Sequence, residues 1–107
     1  MPGNIILVEL SSDSLKVSEE LRELNESVSL KGDCNVVLDF SLVEIINSSN
    51  ISNLLILQDF LDKCGRKLIL YRVQTVTKCI FVVAGLTESF IFSDKMEDIL
   101  KAVNLIS

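Results

Sequence analysis

The chain has 107 residues, 49% of them hydrophobic, which is enough for one domain with a buried core and too few for two, so residues 1–107 read as a single domain. A net charge of −5 and a pI near 4.6 exclude the basic surface that non-specific binding to nucleic acid or anionic lipid needs, and leave proteins as the expected partners. With no histidine and three cysteines that never form a Cys-x-x-Cys pair, the sequence lacks the commonest general base and any zinc-type ligand set.

The first expected element is a strand from Asn4 to Leu10, where Ile5-Ile6-Leu7-Val8 is an apolar run bounded by Gly3 and Ser11-Ser12. From Ser18, the apolar residues Leu21, Leu24 and Val28 recur at helical spacing between Glu19, Glu20, Glu23 and Glu26. This predicts an amphipathic helix with acids in its first turn and an acidic outer face, either solvated or used for docking. Gly32-Asp33 turns the chain into Asn35–Phe40, apolar enough to be buried on both sides and so the central strand.

Asn47, Ser48, Ser49 and Asn50 stand directly ahead of Ile51, Leu54, Leu55, Leu57 and Leu61, an apolar set close to helical spacing. Asn47 or Ser48 is the expected N-cap of a helix that runs to Cys64 and ends at Gly65, with Lys63 near the negative end of its dipole. A strand follows at Leu68–Tyr71, then a helix from Thr75 to Ala84, expected to pack on the sheet through Val76, Cys79, Ile80, Val83 and Ala84. Gly85 ends that helix, Phe90–Phe92 is a short strand, and Ser93-Asp94 caps a last helix carrying Met96, Ile99, Leu100 and Val103. Strands alternating with helices predict an α/β layer fold, with a mixed central sheet of about four strands and about four helices, and with Leu38, Leu54 and Leu68 in the core.

Cys34, Cys64 and Cys79 are expected as reduced thiols that fill gaps in the packing of a cytoplasmic protein. The longest apolar run, Cys79-Ile80-Phe81-Val82-Val83-Ala84, falls far short of the ~20 residues that span a bilayer. Met1-Pro2-Gly3-Asn4 has no basic lead into a signal segment, so no membrane insertion is expected. The Asn-x-Ser triplets at Asn25, Asn47 and Asn50 match the glycosylation pattern, which has meaning only in a secretory compartment.

A hydroxyl at Ser48 lies beside the unpaired N–H groups and the positive end of its helix, so a phosphate there is electrostatically tolerated. From the capping pattern alone, ordinary capping is the favoured account of Ser48 and Ser49. The order of apolar strand, Asn47-Ser48-Ser49-Asn50, amphipathic helix, Gly65, strand Lys67–Tyr71, helix ending Ala84-Gly85-Leu86 and Phe90-Ile91-Phe92 resembles the STAS domain of anti-sigma factor antagonists, over about residues 34 to 103. Members of that family usually carry Asp-Ser-Ser-Gly-Leu or Asp-Ser-Thr-Gly-Leu at this point, after a strand ending much as Leu38-Asp39-Phe40 does. Gly85-Leu86 falls on the family's Gly-Leu.

The resemblance implies that Ser48 is the serine phosphorylated by an anti-sigma factor serine kinase, and that Asn47, Ser48, Ser49, Asn50, Ile51, Asn53 and Leu54 bind that partner. It also implies a partner-switching regulator of transcription, in which the unphosphorylated chain binds the kinase and displaces a sigma factor. Two positions depart from the pattern. Asn47 replaces the usual Asp, keeping an acceptor and removing a charge, and Asn50 replaces the usual Gly, placing a side chain where a partner's backbone or nucleotide lid has to come close. Ser11-Ser12-Asp13-Ser14-Leu15 stands where the family has a Gly-x-Leu-Asp turn, and the first strand here corresponds to the family's second.

The alternative is a non-phosphorylated STAS scaffold, or a subunit of a signalling or lipid-transport complex, in which Asn47 and Asn50 mark lost kinase recognition. Homodimerisation, through the edge of the early strand for example, is left open. No enzyme is expected: no Gly-rich phosphate loop and no Gly-x-Ser-x-Gly elbow is present, and no catalytic residue, metal or cofactor is assigned. Asp39 and Glu44 are the carboxylates nearest the polar cluster, and Asp39, at the end of a strand, is expected to pair with a loop or helix N–H. A receiver-type phospho-Asp domain ranks last, since Glu9 is alone after the first strand where that class carries a pair of acids.

Overall fold

The computed structural model describes residues 4–31 and 34–104. Its elements, in chain order, are β1 (Asn4–Glu9), α1 (Ser14–Lys31), β2 (Cys34–Asp39), α2 (Ser48–Lys63), β3 (Leu68–Tyr71), α3 (Thr75–Val83), β4 (Ile91–Ser93) and α4 (Met96–Asn104). The strands form one sheet in the order β1-β2-β3-β4, and every pairing is parallel. The alternation of strands and helices matches the sequence, but the sheet is parallel among the described residues rather than mixed. A helix stands between each pair of neighbouring strands and returns the chain to the same end before the next begins.

Right-handed crossovers in a sheet that grows steadily in one direction put α1, α2 and α3 on the same face. One buried cluster accordingly joins Val17 and Leu21 of α1, Leu54, Leu57 and Leu61 of α2 and Phe81 of α3 to Val36, Leu38, Leu68 and Leu70 of the sheet. On the opposite face, Val37 and Ile69 pack with Ile99 of α4, flanked by Ile5, Tyr71 and Met96. β2 lies between these layers and is buried along nearly its whole length, as expected of the central strand. Leu38, Leu54 and Leu68 are all core residues.

Four expectations shift. α1 begins at Ser14, one turn before Ser18, because Asp13 caps it: its carboxylate accepts the Leu15 N–H at 2.9 Å and its carbonyl accepts the Val17 N–H. Glu19 and Glu20 therefore sit inside the helix, and Glu20 reaches back to accept both the N–H and the hydroxyl of Ser11 at 3.0 Å. β4 is displaced by one residue, with Phe90 buried just before it. At α4, the Ser93 hydroxyl accepts the Lys95 N–H, and Lys95 supplies the first helical carbonyl, so Ser93-Asp94 precedes the cap position rather than filling it.

The largest shift is in α3, which is rolled away from the expected face. Thr77 and Phe81 point inward, while Val76 and Val83 are 65% and 88% exposed. Phe81 sits edge-on to both Phe90 and Phe92, with ring centroids 5.6 and 5.4 Å away, and the Thr77 hydroxyl donates to the carbonyls of Val43 and Glu44. One large aromatic in a T-shaped cluster, together with a satisfied hydroxyl, outweighs burial of small valines.

α2 and α3 end alike. Gly65 and Gly85 adopt φ of +71° and +72°, and the residue after each donates to the carbonyl five positions back, Arg66 to Leu61 and Leu86 to Phe81. Cys64 and Cys79 are exposed rather than gap-filling, and Cys34 is half-buried. Both exposures follow from position: Cys64 is the C-cap of α2, and Cys79 lies on the outward side of α3. The Gly32-Asp33 turn and the side chain of Val103 lie outside the described residues.

Candidate functional site at the start of α2

The loop from Phe40 to Asn47 leaves the C-terminal edge of the parallel sheet, where ligands and partners of such sheets commonly meet the fold. Its first anchor is Asp39, whose buried carboxylate accepts the Ser41 N–H at 2.9 Å and pairs with the Arg72 guanidinium at 2.6 Å. Burial alone would raise the Asp39 pKa, but the hydrogen bonds from Arg72 and from Ser41, with the Arg72 charge, outweigh it and hold the carboxyl below its ordinary value. Arg72 adopts φ +55°, the left-handed region that a non-glycine residue enters at a cost, and its guanidinium lies 4.9 Å from the centroid of the Tyr71 ring. Asp39 thus holds the expected loop N–H, and an arginine that the sequence did not single out.

The β3–α3 connection fastens the rest of the loop. Gln74 donates to the Ser41 carbonyl at 2.9 Å, Thr77 donates to the carbonyls of Val43 and Glu44, and the Val43 N–H closes a turn on the Phe40 carbonyl at 2.9 Å. Val43 and Ile46 are buried beneath the loop, which leaves Leu42 and Ile45 pointing outward, 49% and 66% exposed. Two large aliphatic side chains held in water by a clamped backbone make a local contact surface, three and six residues ahead of Ser48.

Asn47 then caps α2 and forms a reciprocal box with Asn50. The Asn47 side chain accepts the Asn50 N–H at 2.8 Å, and the Asn50 side chain accepts the Asn47 N–H at 3.0 Å. Asn50 is fully buried and turned toward α1, where its amide donates to the Ser14 carbonyl at 3.1 Å and to the Ser18 hydroxyl at 2.7 Å. Ser18 in turn donates to the Ser49 hydroxyl at 3.3 Å. Ser48, the first residue of the helix, is exposed.

The residues expected at the partner-binding face therefore separate. Ser48 and Ser49 are on the surface, and Asn47, Ile51 and Asn53 are half-buried. Asn50 and Leu54 are fully buried and lie beneath the surface of the loop and helix start. The side chain at position 50 does not project from the surface, because its three hydrogen bonds draw it inward. Leu42 and Ile45 are the surface residues missed in the sequence, since a loop has no period from which to read which of Leu42, Val43, Ile45 and Ile46 turn inward.

The described residues thus form a parallel α/β layer fold with a clamped loop and a polar, serine-bearing helix start at one end of the sheet. The STAS domain family model matches residues 3–99, and the chain belongs to that family. Among solved structures, the chain is similar to the anti-sigma factor antagonist SpoIIAA in its unphosphorylated form, at 15% identity and a TM-score of 0.78, over 97% of this chain and 91% of that one. It is similar to a variant of RsbS from Moorella thermoacetica, at 15% identity and TM-score 0.78 over 96% and 92% of the two chains. A sulfate transporter family protein from Wolinella succinogenes gives 19% identity and TM-score 0.75 over 94% and 85%. No curated protein matches the chain in sequence. No helix among the described residues is long and apolar enough to cross a membrane, and no cluster of metal-ligating side chains occurs among them.

Proposed function

We propose that this STAS domain is a partner-switching regulator of the anti-sigma factor antagonist kind, which binds an anti-sigma serine kinase through the Phe40–Asn47 loop and the start of α2 and is released when Ser48 is phosphorylated. The observation that carries this reading is the exposure of Ser48 at the first turn of α2, on a frame in which Asn47 and Asn50 satisfy one another and leave the serine hydroxyl to solvent. A phosphate at that position lies at the positive end of the helix dipole, so the free protein tolerates it. In a complex, the same dianion enters an interface that Leu42 and Ile45 make partly apolar, where desolvation and repulsion from partner acids weaken binding. In this reading the protein acts by binding.

The test is capture from the source cell's lysate on wild-type, Ser48→Ala and Ser48→Asp baits, with bound proteins and the mass of the Ser48 peptide read by mass spectrometry. Wild type and Ser48→Ala are expected to retain an ATP-binding serine kinase that Ser48→Asp loses. Equal capture by all three baits, with Ser48 unmodified, refutes the switch and leaves a constitutive STAS scaffold or complex subunit.

A further inference from the structure

A small cavity lies at the end of the sheet where α2 finishes and β3 and β4 begin. Its volume is about 110 Å³, and it is lined by Gln58 and Asp62 of α2, Arg66 and Lys67 of the turn into β3, Leu68 of β3 and Ile91 of β4. A single water needs only ~10–15 Å³, so one bridging water does not fill it. Two of the lining residues carry a buried polar atom with no hydrogen-bond partner among the described residues, Gln58 Oε1 and Arg66 Nε. Gln58 cannot turn its amide round to relieve this. Its nitrogen donates to the Ser89 carbonyl, and the reverse orientation would set two oxygens together. Arg66 is fixed at its backbone, where its N–H donates to the Leu61 carbonyl in the cap at Gly65. A buried donor and a buried acceptor left unpaired are each costly, and native folds keep few of them.

We propose that this cavity binds a small zwitterionic α-amino acid of about the size of alanine, its carboxylate against Arg66 and Lys67 and its ammonium against Gln58 and Asp62. The donor set decides the chemistry. Arg66 Nε–H requires an acceptor, and two adjacent cations make a carboxylate the favoured one. Gln58 Oε1 requires a donor. Asp62, one turn further along the same side of α2, and the negative end of the helix dipole make a cationic donor the favoured one. A plain anion would satisfy Arg66 but set negative charge against Gln58 Oε1 and Asp62, and a plain amine would meet the opposite conflict at Arg66 and Lys67. A zwitterion answers both sides and brings no net charge out of water. Leu68 is buried and Ile91 exposed, an apolar wall that suits a short side chain. The cavity lies at the opposite end of α2 from Ser48, so the proposal is independent of the partner-switching reading.

The experiment is a titration of the intact chain with L-alanine, followed by nitrogen–proton NMR at the Gln58 side-chain amide, the Arg66 Nε–H and the Leu68 and Ile91 amides. These signals are expected to shift and saturate below about 10 mM, weak binding in keeping with the few contacts so small a ligand makes. Acetate and methylammonium, each carrying one half of the zwitterion, should not saturate them over the same range. Arg66→Lys keeps the charge and removes Nε, and it should weaken alanine binding roughly tenfold. Asp62→Asn changes an exposed position and should weaken binding severalfold, with the rest of the spectrum unchanged. No saturating shift with alanine, saturation by acetate alone, or equal binding by wild type and both variants overturns the proposal.

Discussion

Replacing Asn50 by alanine is the sharpest probe of how the site is held. The substitution removes the acceptor of the Asn47 N–H and both amide hydrogen bonds to α1, to the Ser14 carbonyl and the Ser18 hydroxyl. At ~0.5–1.5 kcal/mol for each bond, the loss is roughly 1.5–4.5 kcal/mol, and burial of the side chain places it in the upper half of that range. In a domain of this size each kcal/mol lowers the melting temperature by about 4–8 °C. Urea unfolding is the assay, with an unchanged m-value required so that the shift in midpoint reports stability alone. Ser48→Ala, at an exposed neighbouring position, is the control and should stay within about 0.5 kcal/mol of wild type. Asn50→Gly, which restores the residue the family usually carries, should be at least as costly as alanine, since glycine adds about 1 kcal/mol of helix penalty. A loss below ~0.5 kcal/mol for Asn50→Ala would show that the inward hydrogen bonds do not hold the loop, and the support assigned to Asn50 would be wrong.

Two further outcomes test the frame beneath the site. Leu54→Ala, at a fully buried position of α2, should cost about 2–5 kcal/mol by the same urea assay, and a loss within experimental error would mean that α2 packs through another face. Asp39→Asn tests the ion pair with Arg72 through pH. Because the folded state holds the Asp39 pKa below its ordinary 3.8, the ionised pair contributes stability above the unfolded value, and that contribution is lost as pH falls through the folded value. Wild type should therefore exceed Asp39→Asn in stability at neutral pH, with the gap closing as pH drops below about 4. A gap that stays constant down to pH ~2 would show that the charge contributes nothing.

Strand and helix order was legible because this chain punctuates its elements strongly. Gly65 and Gly85 both take the left-handed conformation where the sequence places helix ends, and Leu68–Tyr71 is the strand its apolar run predicts. The early start of α1 was available in Asp13, an N-cap residue ahead of Ser14, but the later run of glutamates gave the stronger apparent signal. α3 was rolled the wrong way because it is apolar nearly all round. When Val76, Ile80, Phe81 and Val83 all qualify for burial, the choice falls to shape, and the aromatic contacts to Phe90 and Phe92 depend on a strand that pairs only in the folded molecule. At the site, the cap at Asn47 was legible and the direction of the Asn50 side chain was not. Its partners, Ser14 and Ser18, lie 36 and 32 residues away in sequence.

That long-range pairing also accounts for the departure at position 50. A glycine there would leave the Asn47 N–H to find water, and would leave the start of α1 untied from the start of α2. The asparagine joins the two helices at their first turns, and the tie is available only because α1 begins at Ser14, which brings Ser14 and Ser18 opposite the start of α2. Ser11-Ser12-Asp13-Ser14, which stands in place of the family's Gly-x-Leu-Asp turn, supplies that early start through the Asp13 cap. The two departures in sequence therefore form one structural unit: the Asp13 cap starts α1 at Ser14, and Asn50 uses the backbone and hydroxyl that α1 presents there. Substitutions on the two sides should be coupled. Asn50→Ala should cost less in a Ser18→Ala background than in wild type, because one of its hydrogen bonds is already gone.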